Sequence, residues 1–153
     1  MKAYLVRHAK PVDSSVDPGR PLSEEGMREI EKVADHLARM GDVIPEVIVH
    51  SGKARARQTA EILASRLDPP GGIREEKGIR PMDDIDGWDT YLASSDGAML
   101  VGHMPFMGLL SCRLTRGEVC GWNTEFRTAE VSCYEYREGG DWMLLWHIAP
   151  EDI

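Results

Sequence analysis

The sequence is poor in cysteine and in aromatic residues, and it contains no long apolar run. Its three cysteines, Cys112, Cys120 and Cys133, are odd in number and unpatterned, so they predict neither a disulfide framework nor a zinc site. We expect all three to be reduced. Because no stretch of about 18 apolar residues occurs, we expect no membrane contact through a spanning helix. The apolar stretch at the N-terminus is too short for a signal peptide, so the sequence predicts a cytoplasmic protein.

An excess of basic residues is also missing. The formal net charge is −8, and an acidic chain is a poor candidate for nucleic-acid binding, which needs a basic surface. The charge is distributed unevenly, however, because residues 53–57 carry three cations and no anion. At a binding site, local charge matters more than the net charge of the whole chain.

What the sequence does contain is an alternation of short apolar runs and amphipathic segments. A chain of 153 residues suits a single domain covering 1–153. Apolar runs predict strands at 3–6, 47–49 and 98–101, and we expect a further strand near Ile73. Two further runs, 128–136 and 142–147, flank a Gly-rich turn and predict a hairpin.

Amphipathic segments between these runs predict helices. Ser23 is a candidate N-cap and Gly41 a candidate C-terminal residue of the first helix. We expect its apolar face to comprise Met27, Ile30, Ala34, Leu37 and Met40. A second helix carries the stripe Ala56, Ala60, Leu63 and Leu67, a short one lies near 88–92, and a last one begins near Pro105 and runs to about 114.

This alternation predicts an α/β fold, a three-layer α/β/α sandwich with a mostly parallel central sheet and a C-terminal antiparallel hairpin. In such sheets, ligands bind where the strands end at their carboxyl side. Three strand ends carry polar residues there: Arg7 with His8, Ser51 leading to Arg55, and Gly102 with His103.

These residue types suit phosphoryl chemistry. One imidazole can attack phosphorus while the other donates a hydrogen bond to the phosphoryl oxygens. A guanidinium such as that of Arg55 binds phosphate in a bidentate fork. Taken singly, each pair also has an ordinary explanation as polar residues that reach solvent at a strand end.

Four segments together resemble the histidine phosphatase superfamily, which has the phosphoglycerate mutase-like fold. Residues 5–9 (LVRHA) resemble its Arg-His-Gly signature, and 51–59 (SGKARARQT) resemble its Ser-Pro-x-x-Arg-Ala-x-Gln-Thr segment. Residues 101–105 (VGHMP) resemble its Gly-His-x-Pro segment, and 20–26 (RPLSEEG) its helix entry. The length is similar to that of compact SixA-like phosphohistidine phosphatases.

The resemblance implies a role for each matched residue. His8 would be the nucleophile that becomes phosphorylated, and Arg7, Arg55 and His103 would bind the phosphoryl group. His8 would attack as the neutral imidazole, with its other ring nitrogen donating to a backbone carbonyl. Neither a metal nor a cofactor is implied. Two positions depart from the pattern, since Ala9 replaces Gly and Gly52 replaces Pro, and Lys10 adds a cation at the mouth.

No matched segment identifies the general acid that would protonate the leaving group. Relatives that cleave phosphate esters carry a carboxylic acid between the third and fourth strands, and Asp83 and Asp84 occupy that region here. A phosphoramidate depends less on such an acid. Residues 77–97 leave little room for a lid, which predicts an open site and a phosphorylated partner, a protein carrying phosphohistidine. Small phosphate esters of the sugar phosphate type and mutase activity are the alternatives.

Two other classes of function also fit parts of the sequence. A metal-dependent hydrolase would use His8, His103 and Asp83 or Asp84 as ligands, but cations beside a metal are unfavourable. A non-catalytic phosphate-binding module would not need both histidines and both arginines together.

Overall fold

A computed structural model of the chain describes residues 1–117 and 126–153, so Cys120 and Trp122 lie outside the described residues. The strands are Lys2–Arg7 (β1), Val47–His50 (β2), Ile73–Glu75 (β3), Ala98–Gly102 (β4), Val131–Tyr136 (β5) and Trp142–Ile148 (β6). The helices are Glu24–Met40 (α1), Ala54–Leu67 (α2), Trp88–Ala93 (α3) and Phe106–Leu114 (α4), followed by a 3-10 helix at Pro150–Asp152.

The six strands form one sheet in the order β3-β2-β4-β1-β5-β6. The first four in this order run parallel to one another. β5 pairs antiparallel with β1, and β6 pairs antiparallel with β5, which confirms the C-terminal hairpin. The register sets Arg7 beside Gly102, so the ends of β1 and β4 coincide at one edge of the sheet.

Helices cover both faces of this sheet. Tyr4 and Val6 of β1 pack into one buried cluster with α1 and α2, whereas Ala3 and Leu5 pack into a second cluster with α3 and α4. Alternate residues of a strand point to opposite faces, and a central strand buried on both sides is therefore apolar throughout. The predicted three-layer α/β/α sandwich is confirmed.

Local sequence signals set the ends of α1. The hydroxyl of Ser23 accepts a hydrogen bond from the backbone N–H of Gly26 at 3.0 Å, and Gly41 ends the helix with φ +81°. The predicted apolar face was wrong at its two ends, because Met27 is 41% exposed and Met40 is 37% exposed. Gly26 and Val33 are buried instead, because Gly26 lies against the backbone of Lys10 and Val33 packs into the cluster that α1 shares with β1.

The cysteines differ from expectation. Cys112 on α4 is disulfide-bonded, which corrects the prediction of three reduced thiols, and Cys133 on β5 is a buried free thiol. Within residues 1–117 and 126–153, no helix has the length and apolarity that a membrane span requires. Pro105 caps α4 rather than lying in its first turn, so the helix starts one residue later than predicted.

Candidate active site

Two histidines stand side by side where β1 and β4 end. The backbone N–H of His8 donates to the carbonyl of Gly102 at 3.0 Å, which extends the β1–β4 pairing by one residue. The imidazole rings of His8 and His103 lie with their centroids 5.1 Å apart. Both side chains are buried, with His8 8% and His103 1% exposed. The sequence prediction that two strand ends meet is confirmed at this edge.

The His8 ring is oriented by its own backbone. Its Nδ1 lies 2.7 Å from the carbonyl oxygen of Ala9, which can only accept, so Nδ1 carries the ring proton. Nε2 consequently has a free lone pair. Burial lowers the pKa of His8 to about 4, and the charges of Arg55, Arg7 and Arg20 lower it as well. His8 is therefore neutral at physiological pH.

The second histidine is neutral for similar reasons. Burial lowers the pKa of His103 to about 3, assisted by His8 and then by the cations Arg55, Lys53 and Arg7. Its Nε2 lies 2.6 Å from the hydroxyl oxygen of Ser51, which is also buried. Its Nδ1 is buried and makes no hydrogen bond to any described residue.

Two arginines flank the histidines from different elements. Arg7, the last residue of β1, donates through Nη1 to the carbonyl of Phe126 at 2.6 Å. Arg55 lies in the first turn of α2, and burial followed by the charge of Arg20 lowers its pKa. The buried Nε of Arg55 makes no hydrogen bond within the described residues. A buried, unpaired donor of this kind is rare unless a ligand uses it.

Side chains of α2 tie this helix to the loop that carries His8. The hydroxyl of Thr59 donates to the carbonyl of Arg55 at 2.7 Å and accepts from the backbone N–H of Ala9 at 3.0 Å. The side-chain oxygen of Gln58 accepts from the backbone N–H of Leu22 at 2.7 Å. Gln58 and Thr59 lie in the SGKARARQT segment, but the sequence alone indicates no role for them, because their partners lie far away in the chain.

The turn between β2 and α2 requires glycine. Gly52 has φ +89°, which proline cannot adopt, and a Cβ atom there would meet the carboxyl group of Glu75 at 2.8 Å. His50 supports the turn, because its Nδ1 accepts from the backbone N–H of Gly52 at 3.1 Å. The departure from proline at this position therefore accompanies a turn of a different conformation.

Additional cations surround the site. Arg20 acts on His8 and Arg55 through its charge, and Lys53 acts on His103, yet neither was predicted as a site residue. The signal for Arg20 was its place in the RPLSEEG segment. Lys10, in contrast, forms an exposed ion pair with Glu25 at 3.1 Å, so much of its charge is compensated.

The two predicted acids are engaged elsewhere. Asp83 accepts from the backbone N–H of Arg80 at 2.8 Å, and Asp84 accepts from that of Asp86 at 2.9 Å. Within the described residues, no hydrogen bond or ion pair joins either carboxylate to His8 or to His103. The described part of the chain also holds no group of three or more His, Cys, Asp or Glu side chains suited to a metal ion.

The arrangement thus combines two neutral imidazoles with several guanidinium and ammonium groups. Fixed cations in a partly buried setting bind a compact anion strongly, because little water screens them. The imidazole with a free Nε2 lone pair is in addition a potential nucleophile.

Comparisons with known proteins agree with this chemistry. Residues 3–90 match the model of the histidine phosphatase superfamily, branch 1. An uncharacterised protein of Picosynechococcus is 34% identical over 117 residues, covering 71% of this chain and 69% of that protein.

Solved structures show the same fold. The protein histidine phosphatase SixA in complex with tungstate superposes with a TM-score of 0.84 and 25% identity, covering 98% of this chain and 97% of that one. A SixA-type protein from Agrobacterium tumefaciens gives a TM-score of 0.81 and 27% identity, with 97% of each chain covered. The chain therefore belongs to branch 1 of the histidine phosphatase superfamily, with a SixA-like, phosphoglycerate mutase-like fold, and it is a phosphatase.

Proposed function

We propose that this phosphatase works without a metal, through a phosphohistidine formed on His8, and that its substrate is a protein carrying phosphohistidine. The observation that carries the mechanism is the state of the His8 ring. Its Nδ1 is held by the Ala9 carbonyl at 2.7 Å, and its pKa is about 4, so Nε2 is an available nucleophile. Nucleophilic catalysis needs this deprotonated nitrogen.

In the first step, the lone pair of His8 Nε2 attacks the phosphorus of the substrate. A P–N bond forms to His8 while the bond from phosphorus to the leaving atom breaks, and the leaving atom keeps the electron pair and takes a proton from solvent. In the second step, water attacks the phosphorus, the P–N bond breaks, and inorganic phosphate leaves. The electron pair returns to Nε2, so the neutral ring is restored.

The cations have their largest effect during transfer. The phosphoryl group spreads negative charge over three oxygens as it moves between nitrogen or oxygen atoms. Arg7 and Arg55 are placed to neutralise that charge, and His103 to donate a hydrogen bond. The buried, unpaired Nε of Arg55 supports this role, because an arriving phosphoryl oxygen would satisfy it.

The choice of a phosphohistidine substrate rests on two features. Asp83 and Asp84 are held in their own turn, which leaves the site without an evident acid for a poor alkoxide leaving group. A leaving imidazole needs less help. The segment from 77 to 97 is also short, and contacts within it, such as the bond from Trp88 to the carbonyl of Gly78 at 2.9 Å and the packing of Trp88 on Tyr91, leave little chain for a lid.

Labelling and turnover test the mechanism together. The wild-type protein, His8→Ala and His147→Ala would be assayed on a phosphohistidine protein and on sugar phosphates, with and without chelator. His147 is an exposed histidine on β6 and serves as the matched control. We expect His8→Ala to lose about 10⁴-fold or more in kcat, His147→Ala to stay active, and chelator to have no effect.

Acid-labile phosphate on His8 in rapidly quenched wild-type protein would support the intermediate. Unchanged turnover by His8→Ala would refute it. Faster turnover of sugar phosphates than of the phosphohistidine protein would overturn the substrate assignment while leaving the mechanism in place.

A further inference from the structure

The contact between Ser51 and His103 determines where a proton lies in the site. The hydroxyl oxygen and His103 Nε2 are 2.6 Å apart, and both residues are buried. At this separation one of the two atoms donates and the other accepts. Because His103 is neutral, its ring has a single proton, and the direction of this bond decides which nitrogen holds it.

The surroundings of Ser51 indicate the direction. Its oxygen also accepts from the backbone N–H of Lys53 at 3.4 Å. Within the described residues, the only acceptor available to its single hydroxyl proton is His103 Nε2. If the ring donated instead, the hydroxyl proton would be buried without a partner, a state that folded proteins avoid.

Donation of the Ser51 hydroxyl proton to Nε2 fixes the protonation of the other ring nitrogen of His103, Nδ1. When Nε2 accepts, the proton of the neutral imidazole must reside on Nδ1. That nitrogen is buried and has no partner among the described residues. It is the nitrogen of His103 left for a ligand, and the His8 ring, whose centroid is 5.1 Å away, is its neighbour.

We propose that Ser51 is a positioning residue that holds the ring proton of His103 on Nδ1, so that this nitrogen donates a hydrogen bond to the transferring phosphoryl group. The inference rests on the proposed function of His103 as a phosphoryl ligand. Ser51 itself does not touch the phosphoryl group. It acts by excluding the tautomer in which His103 Nδ1 would present a lone pair to an anion and repel it.

The tautomer can be measured in the resting protein. ¹⁵N-labelled wild-type protein would be examined for the ring nitrogens of His103, with His103→Gln used to identify their signals. We expect a single neutral tautomer protonated on Nδ1. In Ser51→Ala, the Nδ1-protonated form should lose its dominance. A wild-type ring protonated on Nε2 would overturn the inference, whatever the outcome of the labelling at His8.

Kinetics test the consequence for catalysis. We expect Ser51→Ala to lower kcat by about 10- to 100-fold, with KM changed by less than about threefold, because the lost bond matters chiefly in the transition state. Ser51→Thr keeps the hydroxyl and should recover most of that loss. Ser65→Ala is the matched control, since the Ser65 hydroxyl bonds to the Ile62 carbonyl at 2.7 Å on the exposed side of α2.

The two proposals fail separately. A wild-type protein that labels at His8, together with Ser51→Ala that keeps full kcat, would refute the role of Ser51 alone. Absence of label on wild-type His8 would refute the proposed intermediate, while the ¹⁵N measurement would still decide the tautomer.

Discussion

The two ends of the central sheet carry opposite charge. At the carboxyl ends of the parallel strands, Arg7, Arg20, Lys53 and Arg55 surround two neutral histidines. At the amino ends, a cavity of about 410 Å³ is lined by Asp42, Glu46 and Asp96, with Lys2 beside them. Burial, followed by the charges of Cys133, Asp42 and Asp96, raises the pKa of Tyr4 there to about 12.

This contrast in charge, rather than cavity volume, favours the carboxyl end of the sheet as the proposed phosphoryl site. An acidic cavity repels a phosphoryl dianion whatever its volume, whereas a cluster of half-buried cations attracts it. The topology of the sheet also favours anion binding at the carboxyl end. The helices that follow parallel strands begin at the carboxyl edge, so their partially positive N-termini lie at the end that holds the cations.

The largest expected effect separates the arginines by position on α2. Arg55→Ala should reduce kcat/KM by about 10²- to 10³-fold, because a fixed charge aimed at the phosphoryl group is lost. Arg57→Ala should change it by less than about twofold, since Arg57 is exposed and pairs with Glu61 at 3.5 Å. Equal losses in the two variants would mean that general positive charge, not the site, attracts the substrate.

The neutral histidines should make the folded protein sensitive to mild acid. Their pKa values, about 4 and about 3, lie below the ordinary value of 6.5. Below pH 6.5 both histidines take up a proton in the unfolded chain but stay neutral in the folded protein. Their contribution to the free energy of unfolding is therefore fully present above pH 6.5 and is lost as the pH falls towards 4.

Melting in phosphate-free buffer measures this loss. Between pH 7 and 5.5 we expect up to about 3 kcal/mol of stability to disappear, and His103→Gln should remove roughly half of the pH dependence. A melting temperature that is constant over this interval would show that the two rings titrate normally.

Binding of inorganic phosphate tests which end of the sheet holds the anion, and it does so without requiring catalysis. Phosphate at 100 times its dissociation constant should stabilise the wild-type protein by about 2.7 kcal/mol through mass action. Asp96→Asn, at the opposite end of the sheet, should keep this stabilisation, and Arg55→Ala should lose it. If phosphate still stabilises Arg55→Ala but no longer stabilises Asp96→Asn, the anion binds at the amino ends of the strands, and the proposed site is wrong.

The smallest expected effect concerns the two candidate acids. Asp83→Asn and Asp84→Asn should each change kcat on a phosphohistidine protein by less than about threefold, because both carboxylates serve their own turn. Steady-state turnover on this substrate and on a sugar phosphate provides the measurement. A loss greater than tenfold for either variant would identify it as the acid after all.

Much of this architecture follows from local sequence signals. Ser23 and Gly41 set the limits of α1 because capping depends on a few neighbouring residues. The meeting of His8 and His103 was predictable as well, since both follow apolar strands and the carboxyl ends of parallel strands share one edge. Even the acceptor for His8 Nδ1 was expected to be a backbone carbonyl, and it is that of Ala9.

Features that depend on distant pairings were not predictable from the same signals. The bond of Ser51 to His103 and that of Thr59 to Ala9 join residues more than 40 positions apart. Arg20 approaches the site because the loop after β1 folds back, with Pro11 bridging to Leu22. The exposure of Met27 likewise depends on how α1 packs against the rest of the chain, which helical periodicity alone does not determine.

Residues 126–130 hold the loop that carries His8, the nucleophile of the proposed mechanism. The backbone N–H of Arg7 donates to Glu130, that of Ala129 donates to His8, and the Arg7 side chain donates to Phe126. A ribosome would therefore deliver His8 early, and the residues that hold its loop would follow more than 110 residues later. The nascent chain should stay inactive until β5 has emerged, so the onset of turnover reports that the whole sheet has closed.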